Sequence, residues 1–291
     1  MQGIDAPVLE KTVTAFDGTR IGYYVCGSGP RTWVIAPGLG TNILCWKHQI
    51  EAFQHDFTMV TWDPRGTYRS DAPANEDHLT VEDHVRDGFS VCEAEGIERF
   101  VLGGWSMGVQ ICLEMYHQQP GRVEALVLIH GTYGHVLTTA AGLRGAAPLF
   151  HVVLHLLRAA DPVVRWLAPR VFGWPYAART LHALGMLAAN PLEFQPIMNM
   201  FATIDFKRYL RMILLLDRHT AESYLAQVSV PTLVTAGSRD IVTPPASAEE
   251  MHRAIAGSFF LLVDRGTHYT MTEFPDELNR GIREFLKAKV A

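Results

Sequence analysis

The chain has 291 residues, 48% of them hydrophobic, and a formal net charge of -5. That length can bury a large core, as one α/β domain carrying an insertion or as two small domains. The acidic balance and the lack of any arginine-lysine block exclude a general attraction to nucleic acid. No run reaches the ~18 consecutive apolar residues that span a bilayer. The opening MQGIDAPVLEKT lacks the basic and apolar regions of a secretory signal, so a cytoplasmic protein without a membrane span is expected. Cys26, Cys45, Cys92 and Cys112 stand singly, with neither CxxC nor metal-ligand spacing, and read as reduced structural thiols.

In chain order, residues 12–15 and 21–25 flank the turn Asp17-Gly18 and read as a hairpin. Segments 32–36, 58–62, 100–103 and 125–129 are short, fully apolar runs, the kind covered on both faces in a parallel sheet. Helical patterns near 43–54, 81–95 and 108–119 separate them, which means crossovers and a mainly parallel sheet. The alternation resumes late, with strands at 231–236 and 259–263 and helices at 246–256 and 276–289. Between them, residues 132–228 show no strand alternation. Asp161-Pro162 and Asn190-Pro191 each place a capping side chain before a proline at a helix start. This helical insertion is apolar and mildly basic, with 9 Lys and Arg against 5 Asp and Glu.

Ligands of open parallel sheets bind at the carboxyl ends of the strands, and the chemically suggestive residues fall there. In GGWSMG (103–108), Ser106 follows a strand and precedes a helix. Gly104 and Gly108 lack side chains where a sharp strand-to-helix turn crowds them. A serine hydroxyl needs a base, and the base needs an orienting acid. Nine histidines follow Ser106. His268, in DRGTHYTM after the last strand, has the loop position and the chain order to be the base. His130, at the end of strand 125–129, is its rival and reads as lining the pocket or packing under the insertion. Asp240, in GSRDIVTPP after strand 231–236, is the acid, since the alternative slot HGTYG carries none. Acyl transfer also needs donors for an oxyanion. The amide of Met107 is one, and the loop PGLGTN after strand 32–36 can turn the amide of Leu39 to the same point. The loop is no dinucleotide site, because Ile43 stands where GxGxxG needs its third glycine.

Taken together, these motifs resemble the α/β-hydrolase superfamily over nearly the whole chain. PGLG is similar to its oxyanion loop, DPRGTYRSD to its strand-end turn, GWSMG to its nucleophile elbow, GSRDIVTPP to its acid loop and GTHYTMTEFP to its histidine loop. The resemblance implies a mostly parallel, doubly wound α/β core over 1–131 and 229–291. It implies a helical cap over 132–228, inserted between the sixth and seventh strands. Departures are Pro37 where the oxyanion loop commonly opens on histidine, Tyr68 for a glycine of the DxRGxGxS turn, and Val109 for a glycine after the elbow. A serine at position 106, where alkyl-ester-forming relatives carry aspartate, implies an acyl-enzyme and hence a small-molecule ester, thioester or lactone, with no metal or organic cofactor. Acyl transfer of the homoserine acetyltransferase type, carbon-carbon bond hydrolysis and a ligand receptor that retains the triad are the alternatives.

The remaining features read more plainly. Phe194, Met198 and Phe201, with Trp105 and His130, are candidate substrate contacts, the first three because a helical cap must cover something. His151, His155 and Arg158 form one polar stripe at helical spacing, read as solvated, as are Lys207, Arg208 and Arg211. Asp63 and Arg65 are read as fixing their turn.

Overall fold

Eight strands form one sheet in a computed structural model that describes residues 3–139 and 145–290. They are β1 (Val8–Thr14), β2 (Arg20–Cys26), β3 (Arg31–Ala36), β4 (Phe57–Trp62), β5 (Phe100–Trp105), β6 (Val123–Ile129), β7 (Thr232–Gly237) and β8 (Phe259–Val263). Their order is β1-β2-β4-β3-β5-β6-β7-β8. The expected hairpin β1-β2 is antiparallel and joins β4 antiparallel, and from β4 to β8 every pairing is parallel. Strand β3 lies between β4 and β5, so the chain leaves it toward one edge and returns to its other side. The carboxyl ends of β3 and β5 therefore flank a topological switch point, where open α/β sheets leave a crevice.

Strand residues divide between the two faces with the period of two that a pleated strand imposes. Val34 of β3, Leu102 of β5 and Leu126 and Leu128 of β6 enter one cluster, covered by α2 (Val81–Ala94), α3 (Met107–Gln118) and α10 (Pro245–Ala254). Trp33, Ile35, Val101, Val127 and Ile129 enter the other, covered by α1 (Lys47–Phe53) and α12 (Pro275–Lys289). Helix α2 starts where Thr80 and Asp83 form a reciprocal capping box, which satisfies two amides of its first turn. The four cysteines are buried and free, and burial pushes the thiols of Cys26, Cys45 and Cys92 up to about 12.

Between β6 and β7 the described chain forms α4 (Val136–Thr139), α5 (Ala147–Ala159), α6 (Asp161–Phe172), α7 (Ala177–Ala183), α8 (Pro191–Phe201) and α9 (Phe206–Leu216). Asn190 caps α8 as its sequence predicts, accepting from Leu192 N at 3.0 Å. Asp161 does not cap. Only Ala160 separates α5 from α6, so Asp161 is already the first helical residue, and its carboxylate turns to Arg165 at 2.7 Å. The polar stripe of α5 also departs from expectation: His151 faces the protein and lies 2.9 Å from the Asp217 carboxylate, while His155 is exposed. Arg208 and Arg211, read as solvated, instead pair with Glu76 and Asp77 of the loop before α2, tying α9 to the sheet domain.

Candidate active site

The nucleophile position is made by a backbone that few residues tolerate. Ser106 sits between β5 and α3 at φ 58°, ψ -118°, a conformation that costs about 1–3 kcal/mol and persists only where surroundings enforce it. The surroundings are two close approaches. A Cβ on Gly104 would lie 2.3 Å from the Gly108 carbonyl, and one on Gly108 would lie 2.4 Å from the Ala36 carbonyl. Both glycines are thus required by space, and the second brings the elbow against the start of the PGLG loop. Met107 is the first residue of α3, where an amide has no acceptor within its own helix. Leu39 lies half-buried in the PGLG loop, which is folded by Thr41 donating through Oγ1 to the Gly38 carbonyl at 2.9 Å.

His268 and Asp240 converge on the serine from loops after β8 and β7. His268 Nε2 is 3.0 Å from Ser106 Oγ, and its Nδ1 is 2.8 Å from Asp240 Oδ2. A carboxylate only accepts, so the Nδ1 side carries the proton and Nε2 is left to accept from the serine hydroxyl. Asp240 Oδ1 accepts from the amides of Val242 and Thr243 at 2.8 and 2.9 Å. Burial by itself would raise this carboxyl, but the neighbouring imidazoles of His268 and His130 hold it well below the usual carboxylate range. The carboxylate is therefore ionised when it orients the base.

Thr243 was not legible as part of this arrangement. Its hydroxyl is 2.9 Å from Asp240 Oδ2, 3.0 Å from the His130 carbonyl and 3.2 Å from His268 Nδ1. The available signal was local: threonine three residues after the acid, before Pro244-Pro245, can fold back on the acid's own turn. Glu273 is a second such residue. It accepts from the amide and hydroxyl of Thr267 at 2.7 and 2.6 Å and from the amide of Ala188 at 2.7 Å, which braces the histidine loop and joins it to the helical segment.

The expected substrate contacts separate. His130 is fully buried behind the acid, with Nδ1 3.6 Å from Asp240 Oδ2, and burial depresses its basicity, so it is a neutral packing partner of Asp240. Trp105 is 4% exposed, and its indole donates to the His268 carbonyl at 2.9 Å. Phe201 covers the PGLG loop, since a Cβ on Gly40 would lie 2.8 Å from its ring. Phe194 packs edge-on against Tyr269, ring centres 4.8 Å apart, and also lines a cavity of about 190 Å³ with Leu44, His48 and Ile197. Met198 is core of the helical segment, buried with Ala178 and Leu187. Asp63 and Arg65 fix their turn to its surroundings: Asp63 accepts from Tyr24 of β2 and from the Arg69 amide, and Arg65 is clamped by Asp87 of α2 and by Asp17 of the hairpin turn.

The profile of the alpha/beta hydrolase fold matches residues 33–275, which spans the elbow, the acid loop and the histidine loop. The chain belongs to this family. It carries the α/β-hydrolase fold, with relatives at low identity. RutD of Agrobacterium fabrum, provisionally named a carbamate hydrolase, is 26% identical over 260 residues, covering 88% of this chain and 92% of that protein. Protein ABHD8 of Homo sapiens is 25% identical over 252 residues, 86% of this chain. The chain spans about half the length of the ABHD8 proteins, 53% in the human case. Among solved structures, an esterase from Exiguobacterium antarcticum superposes with a TM-score of 0.78 at 21% identity, covering 96% of this chain and 100% of that one. At that identity the likeness concerns the fold.

Proposed function

We propose that the protein is a serine carboxylesterase, lipase-like in taking a hydrophobic small-molecule ester, with Ser106 as nucleophile, His268 as base and Asp240 as orienting acid. The observation that carries this reading is the relay Ser106 Oγ, His268 Nε2, His268 Nδ1, Asp240 Oδ2, with separations of 3.0 and 2.8 Å at its two hydrogen bonds. His268 takes the hydroxyl proton as Oγ bonds the ester carbonyl carbon, and the carbonyl electrons move to oxygen. The amides of Leu39 and Met107 are assigned to that oxyanion. On collapse the carbon-alkoxy bond breaks and the imidazolium protonates the departing alcohol. Water then attacks the acyl-enzyme with His268 again as base, releasing the acid and restoring the serine. No step calls for a metal or an organic cofactor.

The reading includes residues 132–228 as a cap over residues 1–131 and 229–291. Phe201 over Gly40, Phe194 against Tyr269 and the bond from Ala188 to Glu273 all support it, because each is a contact between the segment and a loop of the proposed site. These aromatic contacts are also why a hydrophobic acyl chain is the preferred substrate. The test is initial rates on p-nitrophenyl esters from acetate to palmitate, and on a p-nitrophenyl carbamate, with Ser106→Ala as control. The expected result is an ester optimum at one chain length that falls by about a thousandfold or more in the variant. Hydrolysis that survives Ser106→Ala, or failure of a fluorophosphonate to label Ser106, overturns the mechanism.

A further inference from the structure

Helices α5 and α6 carry their apolar stripes on the outside. In α5, Leu149, Val152, Val153, Leu156 and Leu157 are exposed, with Leu149 and Leu156 each at 63%, and they follow the i, i+3, i+4, i+7, i+8 spacing of one helix face. In α6, Val163, Trp166, Leu167 and Val171 follow i, i+3, i+4, i+8 with Arg170 at i+7, and the four apolar side chains are exposed. Of the twenty large apolar side chains exposed among the described residues, fourteen lie between Leu149 and Leu192. Helix α5 is nonetheless seated on the molecule by its opposite side, through Leu154 against Leu210 and Leu214 of α9 and through His151 on Asp217. The outward stripe is therefore an unpartnered face of a docked helix pair. Soluble proteins rarely leave so much contiguous apolar surface without an occupant.

The charge on this face selects the occupant. Residues 161–192 carry Arg165, Arg170 and Arg179 against Asp161 and, just beyond, Glu193, in a chain whose net charge is -5. Asp161 is already held by Arg165 at 2.7 Å. Arg170 lies 4.4 Å over the Trp166 ring and Arg179 lies 5.7 Å over Tyr176, so basic and aromatic groups share one surface, as at a membrane interface. A second copy bound through the same face would set these arginines against themselves. Neither helix alone is long and apolar enough to span a bilayer, and the pair is bent by 98°, a shape that can lie along the headgroup plane.

We propose that the outward face of α5 and α6 docks the protein on a lipid bilayer surface that contains anionic headgroups, with the leucine and tryptophan stripe inserted and the arginines at the phosphate level. The docking surface does not depend on the ester reading.

The test is flotation of the full chain with vesicles of phosphatidylcholine alone, and of phosphatidylcholine with one third phosphatidylglycerol. Leu156→Ser/Trp166→Ser removes the apolar contact at exposed positions, and Arg170→Gln/Arg179→Gln removes charge alone. The expected result is binding to the phosphatidylglycerol-containing vesicles that falls about tenfold or more in either double variant and weakens with salt. Circular dichroism and turnover of a soluble acetate ester should stay unchanged. Wild-type protein that floats with neither vesicle, or binds both equally, overturns the proposal. So does binding that survives both double variants. A dimer by light scattering that Leu156→Ser/Trp166→Ser makes monomeric, without vesicle binding, assigns the face to a second copy and overturns it as well.

Discussion

The indole Nε1 of Trp105 donates a 2.9 Å hydrogen bond to the backbone carbonyl of His268. The residue before the proposed nucleophile thereby holds the loop that carries the proposed base, and its ring lies 5.2 Å from the imidazole it steadies. Trp105→Phe keeps an aromatic ring and deletes the donor. Kcat on p-nitrophenyl acetate is expected to fall about three- to tenfold with KM little changed, the size of one neutral hydrogen bond. A variant with wild-type kcat would show that the base is positioned without this bond.

Tyr68 occupies a left-handed conformation, φ 47°, and its hydroxyl donates to the Gly40 carbonyl at 2.6 Å. Burial raises the phenol's pKa, so it remains a donor throughout the working range. The bond ties the DPRGTYRSD turn to the proposed oxyanion loop. Tyr68→Phe is expected to lower stability by about 1 kcal/mol and to lower kcat more than it changes KM. Tyr68→Gly relieves the backbone but loses the same bond, and should match Tyr68→Phe in kcat. Full activity in both would detach this tyrosine from the loop's geometry. Thermal unfolding and steady-state kinetics report the two effects separately.

Glu114, on the face of α3 away from Ser106, accepts from the Tyr224 hydroxyl at 2.6 Å and lies 3.3 Å from His219 Nε2. The His219 contact, working against burial, lowers its carboxyl to about 2 from an ordinary 4.5. A folded-state value below the unfolded one means stability that is present above pH 4.5 and lost as the pH falls through about 2. Glu114→Gln is therefore expected to cost about 1–3 kcal/mol at neutral pH. That deficit should shrink toward pH 3 or so, where the wild type loses the same contribution. Urea unfolding at the two pH values measures it, and a deficit independent of pH would remove the carboxylate from the account.

The four thiols give a fourth prediction. Each is buried, and burial raises each well above its ordinary value, so little thiolate forms near neutral pH. Native protein should react with none of its cysteines on addition of a disulfide reagent, and unfolded protein with all four. Fast labelling of one thiol in the native state would place that cysteine near an opening.

Local order in the chain determined most of the sheet and its motifs. The apolar runs ending at Ala36, Trp62 and Ile129 are short and covered on both faces, so their strand character needs no distant partner to be read. GWSMG declares its turn because glycine is the residue that tolerates a backbone 2.3 Å from its missing Cβ. Ser106, Asp240 and His268 each follow a strand end, and a parallel sheet collects strand ends on one edge, so their meeting was legible from order alone. What Trp105 and His130 touch was not. Their partners lie 163 and 110 residues away in sequence for the bond to His268 and the contact with Asp240. Nothing in a local window encodes which neighbour a side chain meets across the sheet edge. The orientation of α5 was undetermined for the same reason. Periodicity shows that a helix has an apolar and a polar face, but only packing decides which one turns inward, and here Leu154 and His151 are held by α9 and Asp217 while Leu149 and Leu156 face out.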